Sequence, residues 1–149
     1  MVLSIINVAL LPYHGFYCDL TSFCVTRYSF ESEYLGIKFS VPEGFTPNVI
    51  VMTERLALSN MTVEQYCNAL KTQLSAIDNI SYEFEDITAI EIAGQTYQKL
   101  TAKGQTGGSN IIQDYIFRKV NNRMIGFITT YTADTVGELD TLMNCFVKY

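Results

Sequence analysis

The chain has 149 residues, 48% of them apolar and 13% aromatic, which is enough to build one domain core without disulfide or metal staples. Its formal net charge is −5 and no run of Lys or Arg forms a basic stripe, so sequence-independent binding to nucleic acid is excluded as a main role. The aromatic share comes from ten Tyr and nine Phe with no Trp, a mix suited to strands with one wet face, because the ring packs while the hydroxyl reaches water.

The amino terminus is unusual. Ahead of Arg27 the only charged residue is Asp19, and the apolar run Met1–Leu11 stops at Pro12. The run is too short to span a membrane, which needs about 20 apolar residues. It also lacks the positive start and small-residue cleavage site of a secretory signal. Cys18 stands where a lipidated cysteine would lie, but Gly15-Phe16-Tyr17 puts bulky aromatics where a lipobox has small residues. Three readings stand side by side: a packed extension of the domain, a degenerate export signal, or a displaced translation start. Residues 1–27 are therefore set apart as an atypical apolar extension, and residues 28–149 as the domain.

From Tyr28 onward the pattern is regular. Leu35, Ile37, Phe39 and Val41 alternate with smaller or polar residues, which predicts a half-buried strand ended by Pro42-Glu43-Gly44. Asn48–Thr53 predicts a second strand. Thr62-Val63-Glu64-Gln65 reads as a capping box, in which the Thr62 hydroxyl and the Gln65 side chain satisfy two otherwise unpaired helix amides. Behind it Val63, Tyr66, Cys67, Leu70, Leu74 and Ile77 form one apolar stripe, which predicts a helix over Thr62–Ile77.

Ile80–Glu85 alternates again, placing Glu83 and Glu85 on one solvent face, and Ile87, Ile90 and Ile92 carry the strand to Ala93. Gly94-Gln95 predicts a turn, Thr96–Ala102 a returning strand, and Lys103–Ser109 a flexible connection. Asn110–Lys119 and Arg123–Tyr131 are rich in β-branched and aromatic residues and flank Val120-Asn121-Asn122, a strong hairpin signal. In the last segment, Asp134–Tyr149, Val136, Leu139, Leu142, Met143 and Phe146 fall at helical spacing, with Asp134 or Thr135 as its cap. The order β-β-α-β-β-β-β-α predicts an α+β fold, a single antiparallel sheet covered by helices.

That order resembles the PsbP-like superfamily, whose α/β/α sandwich is shared with Ran-binding nuclear import factors. The nearest likeness is to uncharacterised domains of exported lipoproteins in Gram-positive bacteria. The landmarks are Tyr34-Leu35-Gly36-Ile37-Lys38-Phe39, Val41-Pro42-Glu43-Gly44-Phe45, Thr62-Val63-Glu64-Gln65-Tyr66, Ala93-Gly94-Gln95-Thr96-Tyr97, and Gln113-Asp114-Tyr115 with Arg118-Lys119. The resemblance implies a sheet with helices on both sides and an extracytoplasmic setting at a bacterial envelope. It supplies no shared catalytic residue.

No catalytic constellation stands out. His14 is the only histidine, so a Ser-His-Asp or Cys-His relay would need it, and beside Pro12 and Tyr13 it reads as a loop or packing residue. Gly104–Ser109 lacks the Lys and the following helix of a phosphate-binding loop. Glu83, Glu85, Asp86 and Glu91 lack the spacing of a calcium loop and read as a solvated acidic face. Cys67 and Cys145 fall in apolar segments as core thiols, and Cys18 and Cys24 lack zinc spacing. Asn60-Met61-Thr62 and Asn79-Ile80-Ser81 are glycosylation sequons that matter only in a eukaryotic secretory setting.

The one positive hint is strand tyrosine, Tyr115 and Tyr131, read as exposed and suited to an interface. The expectation is a non-enzymatic binding domain that uses no cofactor or metal and has a protein or envelope component as partner. The alternatives are an accessory subunit of a larger complex, as the resemblance implies, or an enzyme using Glu83 and Glu85.

Overall fold

The computed structural model describes residues 29–33, 36–40, 48–78, 80–106 and 109–148. In chain order the elements are β1 (Ser29–Ser32), β2 (Ile37–Ser40), β3 (Asn48–Arg55), α1 (Val63–Ser75), β4 (Ser81–Phe84), β5 (Thr88–Ile92), β6 (Gln95–Thr106), β7 (Ser109–Val120) and β8 (Arg123–Tyr131). A 3-10 turn at Ala133–Thr135, α2 (Val136–Met143) and β9 (Val147–Lys148) complete the chain. The main sheet has the order β3-β8-β7-β6, with β4 and β5 both paired to β6, and every pairing is antiparallel. The α+β class and the antiparallel sheet are those the sequence predicts, and β7 and β8 are interior strands.

Several details depart from the expected order. A strand, β1, precedes β2 and pairs with it, and β9 pairs with the other edge of β2 to make a small second sheet. The final helix stops at Met143 rather than running to the end. Phe146 turns into the core against Phe127, with ring centroids 4.8 Å apart, which frees Val147–Lys148 to pair as a strand. The start of that segment is tied by Thr132, whose backbone N–H donates to Thr135 Oγ1 at 3.0 Å, not by Asp134 or Thr135 as cap. Residues 103–106, expected as flexible connection, extend β6 in register with β7 as far as Thr106 opposite Ser109. The landmarks at Tyr34, Leu35 and Val41–Phe45, together with His14, Cys18, Cys24 and Asn79, lie outside the described residues.

The turns follow backbone chemistry. Asn121 adopts the left-handed region (φ 52°) between β7 and β8, a conformation Asn tolerates. Ala93 (φ 51°) and Gly94 (φ 72°) both do so between β5 and β6, so that hairpin turns one residue earlier than Gly94-Gln95.

Each face of the sheet buries its own core. Leu100, Ala102, Tyr115, Phe117, Met124 and Ile128 pack under Tyr66, Cys67, Leu70 and Leu74 of α1. The capping box holds the start of α1, with Gln65 N–H donating to Thr62 Oγ1 at 3.1 Å and Thr62 N–H to Gln65 Oε1 at 2.9 Å. On the opposite face Val49, Val51, Tyr97, Ile116, Ile125 and Phe127 meet Phe146 and Met143.

Between β4 and β5 the strand predicted as continuous is broken. Phe84 opposes Ala102 and Thr88 opposes Lys99, so the three residues Glu85–Ile87 face two residues of β6. This one-residue bulge reverses the faces: Tyr82 and Phe84 lie toward α1, whereas Ile90 and Ile92 belong to the other core.

Two variants test these supports by urea unfolding. Thr62→Ala removes the cap acceptor and should cost about 1 kcal/mol. Gly126→Ala should cost about 3 kcal/mol, because a Cβ there collides with the Ile116 carbonyl oxygen and with the Phe117 ring.

Candidate functional site

At the end of the sheet nearer the β6–β7 turn, the Phe127 face changes from apolar to polar. The register sets Thr101, Asp114 and Thr129 side by side on β6, β7 and β8. All three are buried, at 5%, 5% and 0% exposure. Thr101 Oγ1 donates to Asp114 Oδ1 at 2.6 Å, and the Tyr131 hydroxyl donates to Asp114 Oδ2 at 3.2 Å. Thr129 Oγ1 has no hydrogen-bond partner. Burial, and then the charges of Asp114, Glu85 and Asp140, push the Tyr131 phenol well above its ordinary pKa.

The next row outward is Tyr131, Ile112, Lys103 and Glu83. Glu83, Lys103, Gln105, Asn110, Ile112 and Ala133 line an open cleft of about 250 Å³. Lys103 Nζ meets Glu85 Oε1 at 2.7 Å on the surface. The hydrogen bond from Lys103 is the main reason the Glu85 carboxyl titrates below its usual range, and the same bond raises the Lys103 ammonium.

Glu83, Glu85, Asp86 and Glu91 are all exposed, but they do not share one face, because the bulge sets Glu83 and Glu91 on opposite sides of the sheet. The bulge makes Glu85 a partner for Lys103, while Glu91 lies on β5 opposite Thr96. Among the described residues, no three His, Cys, Asp or Glu side chains come close enough together to hold a metal ion.

Tyr115, expected as exposed, is buried. Both faces of β7 are covered, so alternation alone does not mark a wet side. Its hydroxyl donates to Gln113 Oε1 at 3.1 Å, Tyr82 OH reaches the same oxygen at 3.4 Å, and Gln113 Nε2 donates to Thr130 Oγ1 at 3.2 Å. Burial raises the Tyr115 phenol pKa. Tyr131 is half-buried and faces the opposite side. Cys67 is a free core thiol whose pKa burial pushes up to about 11, and Cys145 is free and half-buried.

The residues that define this end of the sheet are Thr101, Asp114 and Thr129. Sequence patterning singles out none of them as a group, because their adjacency exists only through register. The available signal is Asp114 itself, the one charged residue in Ile111–Phe117, a stretch that is apolar and aromatic apart from Gln113 beside it.

These features define an antiparallel α+β domain of PsbP-like fold. In fold the chain is similar to the cyanobacterial PsbP (CyanoP) of Synechocystis sp. PCC 6803, at 14% sequence identity and a TM-score of 0.57, over 89% of this chain and 98% of that one. It is more distantly similar to PA94, a protein of unknown function from Pseudomonas aeruginosa, at 11% identity and a TM-score of 0.44, over 70% of this chain and 83% of that one. No protein-family model and no curated protein matches the sequence. Among the described residues, no helix is long and apolar enough to cross a membrane.

The pair at the cleft rim has a pH signature. A carboxyl whose pKa is depressed by folding contributes stability above its unfolded pKa, and that contribution is lost as pH falls through the folded value. Lys103→Met should move the Glu85 titration, followed by carboxyl carbon NMR, up to the ordinary glutamate range. Stability near neutral pH should barely change, because the pair is exposed.

Proposed function

We propose that this chain is a non-enzymatic binding domain of a bacterial cell envelope, and that it meets its partner through the polar end of the sheet around the cleft. The observation that carries the reading is the cleft's chemistry. Glu83, Lys103, Gln105 and Asn110 offer one carboxylate, one cation and two carboxamides around the apolar floor of Ile112. That is a surface for hydrogen bonding and charge matching. The envelope setting is supported by the resemblance in the ordered landmarks.

Site-specific photocrosslinking in the native host tests the reading. A benzophenone side chain at Asn110, on the cleft rim, should give a discrete adduct, whereas one at Asn68, exposed on α1, should give none. Lys103→Glu should abolish the Asn110 adduct. Adducts of equal yield at both positions, or none at Asn110, would refute the assignment of this surface. Size exclusion of native lysate separates the two modes of binding: a constitutive subunit elutes with its complex, and a transient binder elutes alone.

A further inference from the structure

Beneath the cleft, Asp114 poses a separate problem. A buried carboxylate is expensive unless it is matched by a positive charge or fully hydrogen-bonded. Asp114 is 5% exposed and accepts from two neutral hydroxyls, Thr101 at 2.6 Å and Tyr131 at 3.2 Å. Lys99 and Lys103 flank Thr101 on β6, but Lys103 pairs with Glu85 and neither forms an ion pair with Asp114. Arg118 lies four residues further along β7, about 13 Å away in a strand, with its guanidinium over the Tyr97 ring.

The second observation is independent of the charge. Thr129 Oγ1, fully buried and directly across the register from Asp114 on the same face, has no partner. Two residues along the same strand, Tyr131 stands in the next row outward, and its contact to Asp114 is long for a bond between two oxygens. A carboxylate, an unused hydroxyl and a loosely held phenol thus occupy neighbouring positions on one face of the sheet, with Glu85 and Asp140 adding negative potential around Tyr131.

We infer that this polar cluster binds a primary ammonium group. Three N–H donors match the three oxygens: one bond to Asp114, one to Thr129 Oγ1, and one to the Tyr131 oxygen once that ring swings toward the cleft. The route is short, since Ile112, opposite Tyr131, and Ala133, two residues beyond it, line the cleft. The ammonium belongs either to a free small amine or to a lysine side chain of a partner.

The test titrates the full chain, labelled with nitrogen-15, with methylammonium chloride at constant ionic strength. Saturable shifts should centre on the amides of Thr101, Asp114, Thr129 and Tyr131, and the thermal midpoint should rise with ligand. Asp114→Asn should weaken binding about ten-fold or more and Thr129→Val about three-fold, and the latter keeps side-chain shape if the former fails to fold. Nα-acetyl-lysine methylamide assigns the source: tighter binding than methylammonium marks a partner's lysine, weaker binding a free amine, and either supports the polar cluster as the site. Equal shifts with tetramethylammonium, which has no N–H donor, would overturn the inference. So would wild-type affinity in both variants.

Discussion

The organisation of this molecule depends on a mismatch of lengths. Strands β6 and β7 have 12 residues each, so they extend about 40 Å at strand rise. Helix α1, with 13 residues, is about 20 Å long, and α2, with 8, about 12 Å. Two such helices cannot cover both faces of such strands from end to end. One end of the sheet therefore carries the two apolar cores. At the other end of the Phe127 face the side chains at core-facing positions become Thr101, Lys103, Asp114 and Tyr131. The polar end is a consequence of the geometry, and the cleft lies there because no helix is long enough to fill it.

Two local devices make the covered end work. Gly126 lacks the Cβ that would strike the Ile116 carbonyl, and the Phe117 ring occupies the space over it. Phe117 then presents its ring to Tyr66 of α1, edge to face at 5.0 Å, so a missing side chain on β8 helps seat the helix. Tyr66 is fixed in turn by its hydroxyl, which donates to Glu54 on β3 at 2.6 Å. The second device is the bulge at Glu85–Ile87. It lets one continuous edge serve α1 with Phe84 and the opposite core with Ile92, and it breaks an edge that would otherwise offer a regular template for pairing with other chains.

Most of the scaffold is legible in the sequence because it is set locally. The Thr62–Gln65 box, the stripe on α1 and the Asn121-Asn122 turn each depend on residues within a few positions of one another, and each stands as predicted, except that α1 stops at Ser75 and leaves Ile77, the last residue of the predicted stripe, exposed. The misjudged features depend on partners distant in sequence. The break between β4 and β5 is invisible in an alternating run such as Ile80–Ile92, because what opposes it is set by the register of β6. Phe146 satisfies a helical spacing, yet packing against Phe127 ends the helix and hands Val147 to β2. Tyr115 shows the same limit in the site, since alternation cannot tell a strand covered on both faces from one with a wet side. The Thr101-Asp114-Thr129 row requires three strands to be in register and has no signature in any one of them.

That row also bears on how stability and function are divided across the sheet. A domain under selection for stability alone would gain by replacing Asp114 with an apolar residue of similar volume, since a buried charge without a countercharge is rarely favourable. Thr129 poses the same question in milder form: valine has its shape and would leave no hydroxyl unsatisfied. Both costs fall in one row, at the junction between the packed end of the sheet and the cleft. The surrounding strands can bear them, because Leu100, Ile116, Phe117, Met124, Ile125 and Phe127 on the same three strands are almost wholly buried. Polar groups held under tension beside an opening, on strands over-determined by their cores, are what a preorganised recognition site requires.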